Sequence, residues 1–335
     1  MRKNALLMNL IVIVIVIIIS ACAPQAEPYQ APERDPMLVP PDEIVLVDGF
    51  ELTNRVTEEW KRSGKMFTLT GPAQRESCAV ACHDGYAFST GEFARQHIVS
   101  IDCQACHSDR ALEYLRNGTV DVPFTDEPLE AGMGALCITC HHGRTDARAK
   151  YEIFANGGGV RLTAPHHGPA ALTTGLGGME YPNVTYGHSI AHENLQDTCI
   201  SCHMPETLEG YALHTFVLDD AYAPIICGNC HAGITDFNLN GFQNQVLEWV
   251  SQLEDAIFEE TGAIALSEGG GQLLLFTDEE RRQRVNPRDV SLEVYVAAYN
   301  AYLVRSDGSL GVHNPQYTKS LLQESYRALT GEDLR

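Results

Sequence analysis

Ten of the eleven cysteines in this 335-residue chain stand in five closely related patterns. Cys-x-x-Cys-His occurs at Cys103/Cys106/His107, Cys137/Cys140/His141, Cys199/Cys202/His203 and Cys227/Cys230/His231, with a version one residue longer at Cys78/Cys82/His83. Two thiols on one tight turn can add to the two vinyl groups of a haem, and a histidine that follows at once is set under the iron as its axial ligand. Zinc ribbons also pair cysteines this way, but zinc geometry does not call for a histidine directly after the second cysteine in five cases out of five. With ten thiols committed, only Cys22 stands apart and no disulfide framework can be built. The patterns predict five covalently bound haem c groups, with the redox chemistry supplied by the cofactor and the spacing and tuning by the protein.

What fills the second axial position decides between a wire and an enzyme. A methionine raises the potential, a second histidine keeps it lower and closes the iron to substrate, and an open position invites chemistry. Eight histidines lie outside the motifs: His97, His142, His166, His167, His188, His192, His214 and His313. His97 lies six residues before Cys103 and His192 seven before Cys199, so each can sit on the element leading into a motif and reach a neighbouring haem. His214 falls between the last two motifs, and His313 immediately precedes the last helical stretch.

The intervals between leading cysteines are 25, 34, 62 and 28 residues. That is too little chain per haem for an ordinary apolar core, so the porphyrins themselves must be core and must nearly touch. Short helices, turns and glycine-rich loops are expected. Gly157-Gly158-Gly159 and Gly175-Leu176-Gly177-Gly178 lack the Gly-Lys-Ser/Thr of a phosphate loop and read as places where backbone closely approaches haem. After His231 the texture changes. Phe242, Val246, Val250, Leu253 and Ile257 repeat at helical spacing, a second helix is expected from about residue 290 to 303, and Asn314-Pro315 opens a third with Leu321, Leu322, Tyr326 and Leu329 on one face.

Arg2 and Lys3 precede an apolar run over residues 10–19 that is too short to span a bilayer and has the layout of a secretory signal. It ends in Ile19-Ser20-Ala21-Cys22, which resembles the bacterial lipobox, whose cysteine is lipidated after cleavage. Residues 1–21 are therefore read as a lipoprotein signal peptide and 22–45 as the lipidated Cys22 with a tether. Residues 46–235 are read as the pentahaem c domain and 236–335 as a C-terminal helical segment packing on it. Pro24, Pro28, Pro32, Pro36, Pro40 and Pro41 make the tether extended, with a reach on the order of 60 Å at about 3.1 Å per residue. Loss of Arg2 and Lys3 with the leader takes the formal net charge from −21 to −23, which argues against nucleic acid and anionic lipid surfaces as partners. The acidic surface instead favours redox proteins with basic patches, and the membrane is met through Cys22.

Several longer stretches carry a family resemblance. Pro165-His166-His167-Gly168, then Gly177-Gly178-Met179-Glu180-Tyr181-Pro182, then His192 ahead of Cys-x-x-Cys-His-Met-Pro, then His214-Thr215-Phe216, resemble multihaem c cytochromes of the outer-surface, filament-forming type. Residues 297–302, followed by Asp307-Gly308-Ser309 and Gly311-Val312-His313-Asn314-Pro315, are similar to the C-terminal helical part of these proteins and, more distantly, of pentahaem nitrite reductases. The likeness runs from about residue 58 to the end. It implies a mostly α fold with extensive loops, a multihaem cytochrome c fold built around a chain of five c-type haems with a C-terminal helical segment. It also implies bis-histidine irons used for electron transfer, with His166, His192, His214 and His313 as sixth ligands. His97 completes the set by spacing alone, and His142, His167 and His188 are left over.

Two departures bear on function. Where the family often carries Trp-x-x-Ser-Gly-His, this chain reads Trp60-Lys61-Arg62-Ser63-Gly64-Lys65, and all five motif histidines are present, unlike the lysine-ligated active haem of the nitrite reductases. A lipid anchor also suits a fixed relay better than a released filament subunit. The expected function is an exported, lipid-anchored electron carrier that hops electrons along bis-histidine haems without catalysing a reaction, facing the periplasm or cell surface, with an outer membrane favoured. A subunit that self-associates into extracellular filaments and a nitrite- or hydroxylamine-type reductase are the alternatives.

Overall fold

In the computed structural model, residues 49–335 are described, apart from Arg95, Val160 and Leu208. The expected signal, Cys22 and the proline-rich tether lie outside the described residues. Helix α1 (Gly49–Arg62) comes first and stops at Ser63, whose side chain accepts from the Lys65 N–H and caps a single 3-10 turn over Gly64–Met66. The longer attachment motif then folds as a π turn over Ala79–His83, with the Asp84 N–H bonded to the Ala79 carbonyl. A π turn absorbs one extra residue within a helical turn, which is how a spacing of three between Cys78 and Cys82 can serve where two suffices elsewhere.

The second motif is one helical turn, Cys103–His107, capped by Asp102, whose Oδ1 accepts from the N–H groups of Gln104 and Ala105. Helix α2 (Asp109–Asn117) follows, ended by Gly118 in the left-handed region, where a residue without Cβ is favoured. A two-residue antiparallel ladder, β1 (Thr119–Val120) with β2 (Leu129–Glu130), leads into α3 (Ala135–His141), which carries the third motif. After α4 (Ala147–Ala155), capped by Asp146, the chain runs to residue 241 mostly as loops and single turns, including Pro169–Thr173 and Cys199–His203.

Three long helices close the chain: α5 (Phe242–Thr261), α6 (Leu292–Asp307) and α7 (Pro315–Thr330). Asn314 caps α7, accepting from the Tyr317 N–H, and Pro315 takes the first helical position, where its missing N–H costs nothing. Between α5 and α6 lies a hairpin absent from the sequence reading, β3 (Ala265–Gly269) with β4 (Gln272–Phe276). Gly270 and Gly271 both have positive φ, as a two-residue primed turn requires.

The main core is centred on α6, which is buried from Val294 to Ala301 with Leu303 and Val304. It packs against Val246, Val250, Leu253 and Ile257 of α5, against Tyr317, Leu321 and Leu322 of α7, and against Leu162, Leu172 and Met179 from the loop-rich part. Before residue 140 the buried apolar side chains are mostly alanines: Ala73, Ala79, Ala87, Ala105, Ala111, Ala131 and Ala135. The motif-bearing part thus contributes few large side chains to any core of its own.

Asn300 fastens the resemblance stretches to one another. Its amide oxygen accepts from the Met179 N–H at 2.8 Å, and its NH2 donates to the Met179 carbonyl at 2.8 Å and to Ser325 Oγ at 3.0 Å. Tyr317 accepts from the Gly178 N–H at 3.0 Å and donates to Glu180 at 2.5 Å. Replacing Asn300 by alanine strands a buried N–H and C=O, each costing about 1–3 kcal/mol, so chemical denaturation should show a loss of roughly 2–5 kcal/mol. The glycines of this stretch were expected to let backbone approach haem. Instead, a Cβ on Gly177 would collide with Ala171 and one on Gly178 with Leu321 and the Tyr317 hydroxyl, so their requirement is close packing on protein.

Candidate functional site

Each motif histidine faces a second imidazole. His83 lies opposite His166 with ring centroids 6.1 Å apart, His107 opposite His214 at 6.4 Å, His203 opposite His313 at 6.1 Å and His231 opposite His192 at 6.3 Å. The fifth pair, His141 with His167, is closer at 4.9 Å. A metal ion holds an imidazole nitrogen at about 2.0 Å, so two rings on opposite sides of one ion have centroids on the order of 6 Å apart. Four pairs match that spacing. The donor set therefore fits iron held between two imidazoles and attached through the adjoining cysteines.

The rings are also held in the right tautomer. Nδ1 of His192 donates to the Val312 carbonyl at 2.8 Å, Nδ1 of His203 to Phe216 at 2.9 Å and Nδ1 of His214 to Ala212 at 2.6 Å. A carbonyl oxygen can only accept, so the proton sits on Nδ1 and the lone pair on Nε2, the atom that ligates. His313 makes the same bond at 2.6 Å to the carboxylate of Asp307. Burial opposes charging of His313, but the Asp307 charge and hydrogen bond outweigh it and raise its pKa. Burial holds His83, His141, His166 and His203 below the ordinary imidazole range, in the neutral form a metal needs. Glu59 of α1 fixes His214 from behind, accepting from its backbone N–H at 2.9 Å and from the Tyr211 hydroxyl at 2.8 Å.

Adjacent histidines serve different motifs. Left-handed backbone at His167 (φ 48°), a conformation that non-glycine residues seldom take, turns the chain so that His166 faces His83 while His167 faces His141. The attachment turns are neighbours as well. The Cys82 thiol donates to the Thr139 carbonyl and the Cys140 thiol to the Ala81 carbonyl, each at 3.8 Å, and the hydroxyl of Thr198, next to Cys199, donates at 3.2 Å to the Ala131 carbonyl just ahead of the third motif. Motifs one, three and four therefore succeed one another in space. All ten motif cysteines are free thiols, none in a disulfide. Among the described residues, no group of three or more His, Cys, Asp or Glu side chains converges as a metal-ion site.

The ten thiols differ in exposure. Cys230 and Cys103 are exposed, whereas Cys78, Cys82, Cys106, Cys137, Cys140, Cys199, Cys202 and Cys227 are half-buried. For Cys230 the reason is local. The helical turn Ala223–Ile226 ends just before the fifth motif, and the chain closes on the Cys227 carbonyl, which accepts from the Cys230 N–H at 3.0 Å and the His231 N–H at 2.8 Å. This tight turn sets His231 toward His192 and leaves the Cys230 thiol exposed. Cys103 is exposed because it opens its helical turn at the capped end, next to Asp102.

The structure brings His166, His192, His214 and His313 to motif histidines, but it does not bring His97 to one. His97 is exposed and its ring meets no motif ring among the described residues, because its chain segment turns on the Ala94 carbonyl at the surface. The ring beside His141 is His167, left over in the sequence reading, and Nζ of Lys65 also reaches His141 Nε2 at 2.8 Å. His142 accepts from the Arg144 N–H at Nδ1, which leaves its proton on Nε2, and His188 binds Glu193 and stacks on Tyr317. The signal for His167 was its place in Pro-His-His-Gly. Spacing alone does not reveal that one residue of the pair is left-handed.

No family model matches this chain, and no curated protein does. Its fold is similar to that in the crystal structure of the outer cell wall cytochrome OcwA, with a TM-score of 0.54 and 19% identity, covering 82% of this chain and 50% of that one. The chain thus spans half the length of that cytochrome. At this identity the likeness is one of fold: mostly α with extensive loops, the architecture of a multihaem cytochrome.

Proposed function

We propose that this protein is an exported pentahaem c-type cytochrome that carries electrons and transforms no substrate. The observation that carries this reading is the set of motif histidines each confronted by a second ring, four of them at 6.1–6.4 Å. Cys78/Cys82, Cys103/Cys106, Cys137/Cys140, Cys199/Cys202 and Cys227/Cys230 would hold the cofactors, and the four imidazole pairs at 6.1–6.4 Å would cap their irons on both sides. When bound, haem iron exchanges single electrons. The chain's part is to exclude substrate with a second ligand and to bring one attachment turn against the next. The contact between the first, third and fourth motifs supports hopping along a row.

Export and a lipid on Cys22 are supported by the apolar run and lipobox-like sequence, and a place outside the cytoplasm agrees with the outer cell wall position given in the name of the similar cytochrome. No helix among the described residues is long and apolar enough to cross a membrane. The resemblance to filament-forming cytochromes is kept as a likeness of sequence stretches, and the tether favours a fixed relay over a filament.

Mass spectrometry of the mature protein tests the reading: five haem additions are expected, and fewer would refute it. Electron transfer to a basic partner should slow as salt rises from 0.1 to 1 M, since the screening length falls from about 10 Å to about 3 Å. A rate indifferent to salt would rule out the acidic surface as the docking face.

A further inference from the structure

The third attachment turn differs from the other four. Nε2 of His141, the atom turned toward the ligand position, lies 2.8 Å from Nζ of Lys65. A hydrogen bond follows the acceptor's lone pair, so the amine stands on the axis that a metal ion bound to His141 would share. The other nitrogen of the ring, Nδ1, is buried with no hydrogen-bond partner, unlike those of His192, His203, His214 and His313. Against His141 the His167 ring is tilted by 64° at 4.9 Å, well inside the 6.1–6.4 Å of the four matched pairs.

Lys65 is aimed by a built support. Trp60 Nε1 donates to the Ile101 carbonyl at 2.9 Å, and the buried Ser63 hydroxyl donates to the Trp60 carbonyl at 2.7 Å while accepting from the Lys65 N–H at 3.2 Å. Among the described residues no carboxylate forms an ion pair with Lys65. An ion about 2 Å from Nε2 would require the amine to withdraw by only roughly 1 Å to sit opposite the imidazole, and the flexible lysine stem allows this. His167 would have to move from left-handed backbone held by Gly168, whose missing Cβ lets it pack on Gly143.

We propose that Lys65 is the sixth ligand of the iron attached through Cys137, Cys140 and His141, so that one haem is His/Lys-ligated and four are bis-histidine. In binding, the ammonium gives its proton to water and its nitrogen lone pair to the iron. The inference rests on the haem-binding reading above.

Near-infrared magnetic circular dichroism and electron paramagnetic resonance of the full oxidised protein test it, together with peptide mapping of haem attachment. In the unaltered protein, about one fifth of the low-spin signal is expected to be of the amine–imidazole type. Lys65→Met should abolish that fraction, giving either one high-spin iron or, with His167 moving in, a fifth bis-imidazole signal. His167→Ala should leave the amine-type fraction in place. Five attached haems whose signals are all bis-imidazole in the unaltered protein would overturn the Lys65 assignment alone, as would a high-spin iron created by His167→Ala. A Cys137–Cys140 peptide without haem would overturn the underlying reading as well.

Discussion

Replacing His313 with alanine is expected to turn one haem iron in five from low to high spin and leave four unchanged. The His313 ring faces His203 at 6.1 Å, and its Nδ1 is tied to Asp307, so the side chain has no other task among the described residues than to present Nε2 to that position. Removing it leaves the iron with one imidazole and an open side. His214→Ala should do the same for the haem at Cys103 and Cys106, whose histidine His107 faces it at 6.4 Å with the ring planes 25° apart. Resonance Raman spin-state markers of the oxidised protein check both, and added imidazole should restore the low-spin state by entering the gap. In contrast, His97→Ala should leave the spectrum unchanged, since that ring is exposed and away from the motifs. Should His313→Ala or His214→Ala keep five low-spin irons, the pairing drawn from the ring geometry is wrong.

That the Cys-x-x-Cys-His patterns fold as tight turns was legible because two thiols and an imidazole that are to serve one haem must stand on one turn and cannot be dispersed along the chain. The helices after residue 241 were legible because Val246, Val250, Leu253 and Ile257 declare a buried face by spacing alone. The hairpin was missed because Gln272–Phe276 reads as a short apolar run, and only the pair of positive-φ glycines before it distinguishes a strand from the start of a helix. Distal ligands are harder in kind. The partner of His231 is His192, and that of His203 is His313, more than a hundred residues away, so the pairing belongs to the tertiary fold and not to any local rule. The spacing of His97 follows the rule that a segment entering a motif can reach a neighbouring iron. The structure uses that geometry for His192, whose helical turn Ile190–Glu193 is held by the Val312 carbonyl, and not for His97.

The same tertiary dependence places Asn300, Tyr317 and Glu180 in one hydrogen-bonded knot although they are far apart in sequence. What the resemblance stretches share is mutual contact: residues 177–182 lie on α6 and α7, and the loop after α6 delivers both Val312 and His313 to the ligand positions. The C-terminal helical segment binds no haem by motif. It nonetheless supplies the ring that faces His203 and, through the Val312 carbonyl, orients the ring that faces His231.

Asp307→Asn is expected to raise the potential of the iron between His203 and His313 by up to roughly 100 mV. Asp307 is the last residue of α6, its carboxylate is buried, and the negative end of a helix is an unfavourable place for an anion. Its side chain accepts from His313 Nδ1, the Ser309 hydroxyl and the Ser309 N–H, which together offset that cost. A carboxylate partner draws the imidazole proton and makes the ring a stronger donor, which favours ferric over ferrous iron. The distal rings of His192 and His214 have only neutral carbonyl partners at Nδ1, so this iron should have the most strongly lowered potential of the three. Hydrogen bonds to charged groups are worth about 1.5–3 kcal/mol, against about 1 kcal/mol for neutral ones. At about 59 mV per tenfold for one electron, the difference reaches the order of 100 mV. Asparagine keeps an acceptor oxygen for His313, so the ligand stays while the charge goes. Spectroelectrochemical titration should therefore show one component of five moving upward with every iron still low spin. A titration curve that does not move would mean that the Asp307 charge does not reach the iron.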